Sequence, residues 1–143
     1  VSLGKQGYLE AARQIMETAV AIRKGIEQIP DLRLMGEPLF LIAFTSAHEQ
    51  LNIYQVLDQM RQRGWRLNAL QRPPGLHFAV TIRHTQPEVA EAFVNDLRES
   101  VAYAKAHPEE KGELAPIYGM ANSLPFRGVV DEVLKRYLDA LYD

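Results

Sequence analysis

No cysteine occurs anywhere in the 143-residue chain. That excludes disulfides, thiolate nucleophiles and any metal site built on cysteine, and it suits a cytoplasmic protein kept in a reducing compartment. Histidine is scarce as well. His48, His77, His84 and His107 contain no pair four residues apart, and His48-Glu49 lacks the second histidine of a helical zinc motif, so no metal site is expected. No apolar run approaches the roughly 20 residues that cross a bilayer. Neither charge dominates: 16 basic against 18 acidic residues leave a net charge of -2. No broad basic surface for nucleic acid or anionic lipid is therefore expected. Gly-x-Ser-x-Gly is absent, and Gly4-Lys5-Gln6-Gly7 lacks phosphate-loop spacing. The start, Val1-Ser2-Leu3-Gly4-Lys5, has neither an initiator methionine nor a basic segment followed by an apolar one. It reads as no signal peptide, and as a piece of something longer.

What is present is a pattern of amphipathic elements. Ala12, Ile15, Met16, Ala19, Ile22 and Ile26 recur at helical steps, predicting a helix from Gly7 to Gln28 that Pro30 stops. Leu32-Arg33-Leu34-Met35 predicts a short strand. Leu39-Phe40-Leu41-Ile42-Ala43-Phe44 predicts a central strand covered on both faces. Ile53, Val56, Leu57 and Met60 share a helical face that ends at Gly64. Trp65 to Leu70 predicts a third strand, and Gln71-Arg72-Pro73-Pro74-Gly75 a loop, because two prolines remove two ladder donors. Leu76 to Arg83 alternates as a fourth strand, with His77, Thr81 and Arg83 on one face. Thr85-Gln86-Pro87-Glu88 reads as a capping box. It opens a helix carrying Ala90, Phe93, Val94, Leu97, Val101 and Ala104, which His107-Pro108 ends. A last helix opens at Ser123 and Pro125, with Val130, Val133, Leu134, Tyr137 and Leu141 inward. The order predicts one α+β domain over residues 1-143, a small, mostly antiparallel sheet covered by helices.

Few residues carry chemistry. Glu109-Glu110 sits in a charged loop and reads as solvated, and Trp65 as a packing residue. His77, Thr81 and Arg83 form either a polar wall toward a ligand or a sheet face meeting water or another domain. Ala115-Pro116-Ile117-Tyr118-Gly119-Met120-Ala121-Asn122 has no period of its own. A tyrosine beside glycine there either plugs the loop onto the body or presents a hydroxyl donor to a ligand such as a phosphate. Asn122 and Ser123 add donors near a helix start, where anions are favoured.

Five stretches in order carry a resemblance: Gly7-Tyr8-Leu9-Glu10-Ala11, Gly64-Trp65-Arg66-Leu67-Asn68-Ala69-Leu70-Gln71, Pro73-Pro74-Gly75-Leu76-His77-Phe78, Arg98-Glu99-Ser100-Val101 and Ile117-Tyr118-Gly119-Met120-Ala121. Together they resemble the C-terminal part of the sphingosine-1-phosphate lyases, over nearly the full chain. The resemblance implies the small C-terminal domain of a homodimeric pyridoxal-phosphate enzyme of the aspartate-aminotransferase fold type. It implies a retro-aldol cleavage of a phosphorylated sphingoid base to a long-chain aldehyde and phosphoethanolamine. In that family the cofactor is held as a Schiff base by a lysine of the large domain.

Lys5, Lys24, Lys105, Lys111 and Lys135 fall in no stretch matching that lysine motif. The resemblance therefore implies no catalytic and no cofactor-binding residue in this chain, which alone would be inactive. One residue carries over: Tyr118 matches the tyrosine that lies near the substrate phosphate. Arg83 matches nothing demanded there, so it takes no substrate role. Two other classes stay open. One is the equivalent domain of a pyridoxal-phosphate amino-acid decarboxylase, which must bind a carboxylate. The other is a stand-alone α+β binding module, which predicts a polar exterior, whereas a domain parted from a larger enzyme predicts an exposed apolar patch.

Overall fold

The computed structural model describes residues 4-36 and 40-110. Helix α1 spans Lys5–Glu27, strand β1 Leu32–Leu34, strand β2 Leu41–Ser46 and helix α2 Ile53–Gln62. Strand β3 spans Asn68–Gln71, strand β4 Pro74–Ala79 and helix α3 Val89–Ala106, with a 3-10 turn at Ile82–Thr85 before it. The expected last helix lies outside the described residues.

The strands form one sheet in the order β1-β2-β4-β3, every neighbouring pair antiparallel. This is the α+β architecture that the order of patterns predicts. Register follows from the buried face. Phe44 pairs with Leu34 and Leu76, and Ile42 with Phe78, so all these side chains stand on one side of the pleat. The three helices meet that side. Ile22 and Ile26 of α1, Val56, Leu57 and Met60 of α2, and Phe93, Leu97 and Val101 of α3 are buried with Ile42, Phe44 and Leu76 in one cluster.

The central strand is buried on both faces, as its apolar run predicts: Ala43 and Thr45, on the side away from this cluster, are 8% and 7% exposed. The strand is nevertheless displaced toward its C-terminal end. Phe40 lies outside it, while Thr45 and Ser46 join it because Arg33 and Leu32 offer them ladder partners. The third strand starts at Asn68 rather than Trp65. Leu67 is 2% exposed and packs into the core from the connection instead.

The proline-rich segment is tighter than a loop. Gln71 pairs with Pro74, leaving Arg72 and Pro73 as a two-residue turn with a cis peptide between them. Pro74 is tolerated as the first strand residue, where its missing N–H falls at the end of the ladder. Its carbonyl still accepts from Thr45 Oγ1.

The fourth strand stops at Ala79, four residues before Arg83. Thr81 and His84 cap each other at the 3-10 turn, Thr81 N–H donating to His84 Nδ1 at 2.9 Å. That local bonding competes with the sheet and breaks the alternation. The Thr85 capping box is absent: Thr85 Oγ1 donates back to the Ile82 carbonyl at 2.6 Å, and Glu88, at φ 72°, precedes α3. At the end of α2, Gly64 adopts φ 94°, the left-handed stop anticipated for it.

Candidate functional site

Tyr118, Asn122 and Ser123 lie outside the described residues. Three polar sites can be built from the rest.

The first was not visible in the sequence. Asp31, in the α1–β1 turn, stands 2.8 Å from His48 Nε2 in the β2–α2 connection. Lys105 near the end of α3 reaches the same carboxylate at 3.2 and 3.3 Å. These partners are 17 and 74 residues from Asp31, so no spacing rule could join them. The bond to His48 is the main reason that the Asp31 carboxyl titrates below its ordinary value, with Lys105 adding to it against the cost of burial. His48 Nδ1 is buried with no hydrogen-bond partner among the described residues. Beside it, Thr45, Ser46, Glu49, Asn52 and Pro74 line a shallow cavity of about 460 Å³. The cluster ties the α1–β1 turn, the β2–α2 connection and α3 together.

The second centres on His77, on the face of the sheet opposite the helices. It pairs across the strands with Ala43 and Asn68. Its Nδ1 is buried and has no partner among the described residues. Burial pushes its pKa below the usual histidine value.

The third is a cleft of about 840 Å³ between the α2–β3 connection and the 3-10 turn, with Trp65, Arg66, Arg83 and His84 in its wall. Because His84 Nδ1 accepts from Thr81, the neutral ring carries its proton on Nε2. Burial, then the Arg83 charge, lowers its pKa and favours that form. The expected wall of His77, Thr81 and Arg83 does not exist: the strand ends before Thr81, so His77 and Arg83 share no face.

The three described lysines do not fit a pyridoxal-phosphate cradle. Lys5 and Lys24 are exposed on α1, and Lys105 is engaged by Asp31. Among the described residues, no group of three or more His, Asp or Glu is placed to hold a metal ion, and no helix is long and apolar enough to cross a membrane.

Known proteins are similar to this chain in sequence and in fold. The sphingosine-1-phosphate lyase of Oryza sativa subsp. japonica is 45% identical over 141 residues, covering 97% of this chain and 25% of the relative. That of Arabidopsis thaliana is 42% identical over 144 residues, covering 99% of this chain and 26% of the relative. The structure of the Burkholderia pseudomallei sphingosine-1-phosphate lyase superposes with TM-score 0.70 at 39% identity, over 99% of this chain and 27% of that one. A cystine C-S lyase with its pyridoxal-phosphate cofactor, 17% identical, matches in fold over 63% of this chain with TM-score 0.51. No family model matches the chain.

An antiparallel four-stranded sheet with helices on one face makes the chain an α+β domain, and a similar fold occurs in a sphingosine-1-phosphate lyase and in a pyridoxal-phosphate-bound C-S lyase. Its sequence is similar to the sphingosine-1-phosphate lyases across nearly its whole length, and it spans about a quarter of the length of the curated relatives it matches.

Proposed function

We propose that the chain is the small C-terminal domain of a pyridoxal-phosphate-dependent lyase that cleaves phosphorylated sphingoid bases to a long-chain aldehyde and phosphoethanolamine. The observation that carries this reading is the match to sphingosine-1-phosphate lyases across 97% of the chain, at 45% identity. In this reading the cofactor, with the lysine that holds it, belongs to the rest of the enzyme. The resemblance also supports a homodimer, and the lack of cysteine suits a cytoplasmic enzyme. Tyr118 is this chain's contribution to the site: a phenolic hydroxyl is a donor that an anionic phosphate oxygen accepts strongly.

The test uses the intact enzyme and a phosphorylated sphingoid base. Release of aldehyde and phosphoethanolamine without carbon dioxide is expected; carbon dioxide from an amino acid would favour a decarboxylase instead. Tyr118→Phe is expected to lower kcat/KM by about tenfold or more, the loss of one charge-assisted hydrogen bond of about 1.5–3 kcal/mol. The cofactor absorbance should not move. Unchanged activity would mean that Tyr118 only plugs its loop. The 143-residue chain alone, in the same assay, should give no aldehyde.

A further inference from the structure

Helix α1 carries more apolar surface than its own domain uses. Its buried residues, Ala19, Ile22 and Ile26, all lie in its C-terminal part. From Lys5 to Thr18 no residue of the helix is buried. A second stripe, about 120° round the helix from the Ile22–Ile26 line, holds Leu9, Met16 and Val20, at helical steps of seven and four. They are 56%, 41% and 48% exposed. Tyr8, 69% exposed, continues the core stripe past the edge of the body. Met16 had been expected inward; it lies instead on this second stripe.

We propose that the Leu9–Met16–Val20 stripe of α1 is the seat on which the remainder of the lyase polypeptide docks. The inference rests on the reading above that the chain is one domain of a longer enzyme. Two features select this occupant. The relatives are about four times as long as the stretch they share with this chain, which covers 25% of the rice enzyme. A domain of the same polypeptide can use a narrow apolar seat, since the covalent link spares it most of the entropy of association. A separate copy of the chain would need on the order of 800 Å² on each side, far more than three side chains supply. A membrane surface fits poorly too. The exposed charges flanking the stripe are mixed, with Arg13 paired to both Glu10 and Glu17, whereas a helix lying on anionic lipid carries a basic polar face.

The absence of cysteine from the chain makes the test direct. Single variants Met16→Cys, Val20→Cys and Glu17→Cys are made in the intact lyase. Their alkylation rates are followed by mass spectrometry on the peptide bounded by Arg13 and Arg23, which contains all three positions. Met16→Cys and Val20→Cys should react at least tenfold more slowly than Glu17→Cys, which lies on the polar face. Equal rates would overturn the proposal. A thiol-to-amine cross-linker placed at residue 16, in dimers mixed from isotopically light and heavy chains, identifies the cover. Links within one chain support the proposal; links between light and heavy chains would replace it with a second copy. Lyase activity is measured separately on the same preparations. Protection without cleavage of the sphingoid base would sink the functional reading and leave this surface standing.

Discussion

At the scale of single residues, close approaches decide more than polarity does. Gly25 is where α1 meets α3. A Cβ built on it would lie 2.5 and 2.8 Å from the two methyls of Val94. Val94 is β-branched and stiff, so the overlap cannot be relieved by a rotamer change alone. Gly25→Ala should therefore lower stability by about 1–2 kcal/mol, overpacking of about 1–3 kcal/mol outweighing a helix-propensity gain of up to about 1 kcal/mol. Adding Val94→Ala should make the double variant more stable than the sum of the two losses, measured by denaturant melts. Additive losses would show that the helices had moved apart. None of this was legible in the sequence, where Gly25 is an ordinary glycine in a helical pattern. The partner was legible: Val94 was placed on the inward face of its helix, and it is 9% exposed.

At the scale of elements, periodicity located the helices and the core, while local bonding set the ends. The inward face of α3 was read from its spacing, and Phe93, Leu97, Val101 and Ala104 are all 3% exposed or less. The strand ends were misplaced where a side chain captured the backbone, as His84 does at Thr81, or where a partner strand extended the ladder, as β1 does for Ser46. Trp65 packs as the sequence predicts: its ring meets Phe93 edge-on at 5.1 Å. Its Nε1–H donates to Asp96 at 2.7 Å, 31 residues away, a partner that no sequence spacing predicts. That bond clips the α2–β3 connection onto α3. Trp65→Phe keeps the aromatic contact and removes the donor, and should cost about 1–2 kcal/mol. A cycle with Asp96→Ala should give a coupling of about 1 kcal/mol. A coupling of zero would mean that solvent already satisfies both groups.

For the whole molecule, the three shifted groups described above act in the same direction. His77 and His84 titrate below their ordinary value through burial, with Arg83 adding to the shift at His84. Asp31 titrates below its own because of His48 and Lys105. Each folded-state pKa is depressed, so folding favours the deprotonated form. The stability each contributes is complete above its unfolded pKa and is lost as pH falls through the folded one. With unfolded values near 6.5 for histidine and 3.9 for aspartate, these groups should produce two successive losses on acidification. The first begins below about pH 6.5 and the second below about pH 4. His77→Asn should flatten the first limb and Asp31→Asn the second, read as the difference from the parent in urea unfolding free energy between pH 8 and pH 3. The separation of the limbs makes the assignment specific. If Asp31→Asn flattened the upper limb or left the lower one unchanged, the tie joining the α1–β1 turn, the β2–α2 connection and α3 would not be electrostatic.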